Sequence, residues 1–138
     1  MKKYIIVIVL LLLAADASFA QQKPLGKSTV EVYYFHGKNR CPTCLSIESN
    51  AIKTVETYFK VEKAKGLVKM IIIDIDDKRN EALVEKYEVS SSSLFVTRVT
   101  AAKTFPYDMT NFAFSYSRNE PQKFIGGLKD KITESLSK

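Results

Sequence analysis

The chain has 138 residues, 21 Lys+Arg against 15 Asp+Glu, a formal net charge of +6, 46% apolar residues, two Cys and no Trp. That length allows one domain and leaves little room for a second. The charged and apolar fractions are those of a globular chain, which excludes disorder, collagen and a cysteine-stapled mini-protein. Long apolar runs would recur in a polytopic membrane protein, and here there is one.

That run opens the chain. Lys2 and Lys3 precede an unbroken apolar stretch from Tyr4 to Ala15, and Ser18-Phe19-Ala20 supplies small residues at −3 and −1 before Gln21. This is the layout of a cleavable secretory signal over residues 1–20. As a helix the stretch rises about 18 Å, well short of a hydrocarbon core of roughly 30 Å. An uncleaved membrane anchor is the competing reading. No Cys follows the apolar stretch, which argues against a lipid-anchored product. Cleavage would remove Lys2, Lys3 and Asp16 and lower the net charge from +6 to +5. The remaining lysines are scattered rather than clustered, as on a solvated surface, so no nucleic-acid partner is expected. The expected location is periplasmic or secreted, with no membrane span after cleavage.

Residues 21–28 read as a linker, polar and carrying Pro24 and Gly26, and residues 29–138 as one domain. TVEVYYF (Thr29–Phe35) is β-branched and aromatic and predicts a strand. A loop, His36-Gly37-Lys38-Asn39-Arg40, leads into Cys41-Pro42-Thr43-Cys44. Ile47, Ala51, Ile52, Val55, Tyr58 and Phe59 then draw one apolar helical face, closed by Gly66. LVKMIIIDI (Leu67–Ile75) predicts a strand buried on both faces. Residues 76–87 predict a shorter helix, acidic at its start. Ser90–Ser93 is a polar turn, and LFVTRVT (Leu94–Thr100) another strand. The order is β-α-β-α-β, with connections long enough for parallel crossovers.

Beyond this, Thr104–Met109 predicts an antiparallel edge strand, limited to an edge by Pro106. Phe112, Phe114 and Tyr116 alternate as a strand would, but Asn111 can open a helix, and helix is the preferred reading. Phe124, Leu128, Ile132 and Leu136 mark a C-terminal amphipathic helix. Gly126 and Gly127 weaken its first turn or permit close packing against the sheet. The aromatic residues from Phe105 to Tyr116 read as core and edge packing, or as a docking face.

Both cysteines lie in one four-residue motif between a strand and a helix. A Cys at a helix N-terminus is near unpaired N–H groups and the positive end of the macrodipole, which stabilise its thiolate. Pro42 suits the first helical position and biases Cys41 toward an extended N-cap. Lys38 and Arg40 place activating positive charge nearby. Cys41 therefore reads as the exposed nucleophile and Cys44, one turn on, as the sheltered resolving thiol. A purely stabilising bridge is the bland alternative, but closing so short a loop contributes about 2 kcal/mol, against about 4.7 for a hundred-residue loop. A second alternative is a soft-metal site for Cu(I) made of His36, Cys41 and Cys44. A closed zinc site needs a fourth ligand, and none is evident. His36 is otherwise a loop or packing histidine. Asp74, Asp76 and Asp77 end a strand and start a helix, where acids stabilise the N-terminus, and are read structurally. No cofactor motif is present.

TVEVYYFHGKNRCPTC resembles the first core strand and redox loop of thioredoxin-fold proteins, and LVKMIIIDIDDKRNEALVEKYEV resembles their next strand and helix. The resemblance covers roughly Thr29 to Thr100 and, more loosely, the C-terminal helix, and implies a thioredoxin-like α/β fold, a central mixed sheet with a β-α-β-α-β core flanked by helices. The proline after the first Cys is similar to glutaredoxin-type motifs. YYFHGKNRCPTC followed by Ile47-Glu48 is most similar to a small secreted bacterial group named for a nitrophenyl-compound nitroreductase subunit in arsenic-associated gene clusters. The cis-proline that these folds carry before the third core strand is replaced here by Ser92 or Ser93, which become the tentative substrate groove. A cis bond at a non-proline residue costs about 2.5–4 kcal/mol, so the turn is expected to be trans. The buried acid found behind the thioredoxin motif has no counterpart, since Tyr34 and Phe35 occupy that stretch. The reading is a secreted or periplasmic thiol–disulfide oxidoreductase acting on a protein or small-molecule thiol or disulfide, its redox state set by a partner protein. The rival is a non-catalytic binding subunit or a Cu(I)-binding protein.

Overall fold

The computed structural model describes residues 28–138. The expected secretory signal, residues 1–20, and nearly all of the expected linker, residues 21–28, fall outside the described residues. The elements are β1 (Thr29–His36), α1 (Pro42–Tyr58), α2 (Lys60–Ala64), β2 (Val68–Asp74), a 3-10 turn (Lys78–Asn80), α3 (Glu81–Lys86), β3 (Ser93–Val99), β4 (Thr104–Asp108), α4 (Thr110–Tyr116) and α5 (Pro121–Leu136).

The four strands form one mixed sheet in the order β2-β1-β3-β4. β1 and β2 are parallel, joined by the α1–α2 crossover, with Tyr34 opposite Ile72. β3 runs antiparallel to β1, with Phe35 opposite Ser93. The parallel second crossover expected from the sequence is therefore not formed. The helical part of that connection is short: the six residues of α3 rise about 9 Å, whereas a seven-residue strand spans about 23 Å. The connection turns back early, and β3 starts at the sheet end where β1 and β2 stop.

Strand alternation divides the core into two. Val30, Val32 and Tyr34 of β1 face one side, where Leu94 and Val96 of β3, Ile47, Ala51 and Val55 of α1, and Phe124, Leu128 and Ile132 of α5 are fully or almost fully buried. Tyr33 and Phe35 face the other, packed with Ile73, Tyr87 and Phe95. Burying each aliphatic or aromatic side chain in such a layer contributes about 1.5–3 kcal/mol. β1, flanked on both edges and covered on both faces, is the strand buried throughout its middle. β2, expected to be buried on both faces, is an edge strand with Lys69 and Ile72 exposed. A run of isoleucines does not reveal which strand gains two neighbours.

The long helix breaks at Phe59, whose φ of −125° and ψ of 27° leave the helical region, and it restarts as α2. Ile52 and Tyr58, expected on the buried face, are exposed, while Cys44 and Thr54 take places in it. Gly66 ends α2 at a φ of +71°, which lets the Leu67 N–H reach the Glu62 carbonyl at 2.8 Å. The helix expected over residues 76–87 is a 3-10 turn followed by α3. β4 is an edge strand, with Pro106 opposite Thr97. Residues 110–116 are helical as preferred, and Gly127 serves close packing, against Phe112 of α4 rather than the sheet. The late aromatics divide: Phe112 and Tyr116 pack on the core, and Phe105, Tyr107 and Phe114 are exposed.

Candidate functional site

β1 delivers the chain to the sheet end at His36, and the loop that follows places Cys41 at the mouth of α1. Cys41 is the N-cap, extended at φ −75° and ψ 159°, with Pro42 in the first helical turn. Its carbonyl accepts the Leu45 N–H at 3.0 Å, and its Sγ accepts the Cys44 N–H at 3.0 Å. A sulfur thus takes the place of the usual capping oxygen, beside the unpaired donors that favour negative charge. Cys41 and Cys44 are joined by a disulfide, with Cα atoms 5.0 Å apart. Cys41 is exposed, whereas Cys44 is buried on the inner face of the helix.

The base of the site is Tyr34. It is wholly buried, and its hydroxyl donates to the Cys44 carbonyl at 2.7 Å. The group beneath the redox motif is therefore a neutral donor. Arg40 lies with its guanidinium 5.8 Å from the centre of the Tyr34 ring and forms an ion pair with Glu48. The hydrogen bond to Glu48 raises the guanidinium pKa further above its ordinary value, so Arg40 is a permanent cation, but a partnered one. Lys38 is exposed, and its backbone N–H donates to Asp76 Oδ2 at 2.8 Å. Asp76, read as a helix-start acid, ties down the loop leading to the cysteines. Asp77 takes the capping role, accepting the Arg79 N–H at 2.9 Å, and the Arg79 guanidinium holds its carboxyl near 2.

A cleft of about 370 Å³ lies beside the disulfide, lined by Lys38, Cys44, Asp76, Ser90–Ser92 and Phe114 among others. Ser92 is thus brought to the cysteine pair. Ser93 is buried as the first residue of β3 and donates its hydroxyl to the Ser91 carbonyl at 3.1 Å. No peptide bond among the described residues is cis, so the serine turn is trans. His36 lies at the end of β1, its Nδ1 3.2 Å from the Gly37 carbonyl oxygen. Among the described residues no three His, Cys, Asp or Glu side chains converge on a metal position, so His36, Cys41 and Cys44 are not gathered as a ligand set.

The sequence assigns Glu48, Asp76 and Phe114 no part in this site, and places Tyr34 behind the motif without a role. A signal existed for two of them. Alternation from Val30 and Val32 directs Tyr34 toward α1, and Glu48, seven residues after Cys41, is two turns along the same helix face. For Asp76 and Phe114 none existed, because they arrive from other elements.

No family model matches the chain, and no curated protein does. Among solved structures it is similar to the solution structure of a thioredoxin from Thermus thermophilus, with a TM-score of 0.52 and 12% identity over 78% of this chain and 76% of that one. A structure described as that of a malarial protein aligns at a TM-score of 0.44 and 23% identity, over 72% of this chain and 96% of that one. A TM-score that low carries no weight for the fold. The β2-β1-β3-β4 mixed sheet, the flanking helices and the likeness to the bacterial thioredoxin show that the chain has a thioredoxin-like fold, with a Cys-x-x-Cys disulfide at the mouth of its first long helix.

Proposed function

We propose that the protein is a thiol–disulfide oxidoreductase of the periplasm or the secreted space, with Cys41 as nucleophile and Cys44 as resolving thiol. One observation carries the reading: the disulfide spans a helix N-cap, with one sulfur residue exposed and the other buried. In the reduced pair, the Cys41 thiolate attacks a substrate disulfide. A bond forms between Cys41 Sγ and one substrate sulfur, and the other leaves as a thiolate that takes a proton from solvent. Cys44, deprotonated, then attacks Cys41 Sγ, re-forming the internal disulfide and expelling the second substrate sulfur. Two electrons and two protons pass to the substrate, and the reverse sequence oxidises a dithiol. A redox partner protein restores the pair.

The serine turn beside Cys44 has no proline to present backbone as thioredoxins do, which favours an open cleft able to take a small disulfide or thiol as well as a protein. The narrower resemblance to the arsenic-cluster group rests on the residues around Cys41, and its name contributes no chemistry to this reading.

The test is trapping. Cys44→Ser expressed in an oxidising compartment should accumulate mixed disulfides through Cys41 that reducing agent releases, and Cys41→Ser should not. Absence of adducts, together with sub-micromolar Cu(I) binding by the reduced protein, would overturn the proposal in favour of a binding role.

A further inference from the structure

Glu48 is paired with the residue next to the redox motif, and its role rests on the redox reading above. It lies one turn beyond Cys44 on the side of α1 that carries the disulfide. Its partner is Arg40, the residue directly before Cys41. The two side chains are only 25% and 23% exposed, so their interaction is screened less than that of a surface pair. Arg40 Nε is buried without a hydrogen-bond partner, and the guanidinium lies over Tyr34, whose hydroxyl is bonded to the Cys44 carbonyl. The cation is thus confined between β1 and the first turns of α1.

We propose that Glu48 is a positioning residue that sets the oxidising strength of the Cys41–Cys44 pair, by holding Arg40 and offsetting its charge. A cation beside a thiolate stabilises the thiolate, and through it the reduced form. A carboxylate bound to the same cation cancels much of that field at Cys41. The other ionisable groups around the site are His36 at the end of β1, Lys38 in the loop, Asp76 after β2, and Tyr34 beneath. From the β3 and α4 sides the cleft is lined by Ser90, Ser91, Ser92 and Phe114, which carry no charge. Glu48 is the carboxylate that the Arg40 side chain engages.

The test uses the full chain with Cys44→Ser, which leaves Cys41 as the one thiol, and follows alkylation rate against pH. Adding Glu48→Gln, which keeps the shape and a hydrogen-bond acceptor, should lower the midpoint by about one pH unit. Arg40→Gln should raise it, the double variant should return close to the starting value, and Glu48→Asp should stay near it. With both cysteines present, Glu48→Gln should shift the glutathione equilibrium toward the reduced form by up to about tenfold, or about 30 mV. Glu48→Gln leaving the midpoint unmoved would overturn the inference, whatever Arg40→Gln does and even if mixed disulfides are trapped. A moved midpoint without any trapped adduct would support the charge coupling and overturn the oxidoreductase role instead. The midpoint therefore tests this inference and the trapped adduct tests the reading it rests on, so the two failures are distinguishable.

Discussion

Gly126 and Gly127 are neighbours inside α5, and alanine at the two positions is expected to change stability in opposite directions. At Gly126 an added Cβ meets nothing within 4 Å, so the substitution gains helix propensity of about 0.5–1 kcal/mol with no steric cost. At Gly127 the Cβ would stand 2.3 Å from Phe112 Cζ and 2.8 Å from Phe112 Cε1. Phe112 has little room to yield. Its ring stacks on Phe124 at 6.3 Å and meets the Tyr116 ring edge-on at 5.0 Å, both against the main core. Overpacking of this kind costs about 1–3 kcal/mol, which outweighs the propensity gain and leaves a net loss of up to about 2 kcal/mol. For a domain of this size each kcal/mol corresponds to about 4 °C in Tm. Urea unfolding of the two variants, at unchanged m-value, reads the difference directly. Adding Phe112→Leu to Gly127→Ala should recover part of the loss, since the two sites touch. Equal stability of the two alanine variants would refute the close approach of α4 and α5.

Tyr34→Phe removes one buried hydroxyl without opening a cavity, so it should cost about 1 kcal/mol through the lost bond to the Cys44 carbonyl. An unchanged denaturation midpoint would refute that bond. Glu134 is held down to about 2 by Lys131 and Lys138, against an ordinary value of 4.5. A depressed carboxyl stabilises the fold above its ordinary value and loses that contribution as pH falls from about 4.5 through about 2. The pairs are exposed and the effect small, but Glu134→Gln should flatten the stability slope in that window, and an unaltered slope would refute the pairing.

The strands, the long helix and the cysteine motif were legible because each is a local matter. β-branched and aromatic runs, a stripe at helical spacing, and Pro42 after Cys41 act within a few residues of chain. Even the break at Phe59 was hidden, because the apolar stripe passes through it without interruption. The charge around Cys41 was legible in part: Arg40 was visible in the motif, but Glu48 entered only through the resemblance and not as the partner of Arg40.

Sequence alone determined that a sulfur would cap a helix after a strand, because capping and β-propensity depend on neighbours along the chain. Tertiary structure decided that β3 runs antiparallel, that β2 lies at an edge, and that Ser92, Asp76 and Phe114 meet around Cys44. Those outcomes depend on how far a short connection can reach and on which surfaces remain to be covered once the central strand is in place. Such quantities belong to the packed molecule and are written in no single segment.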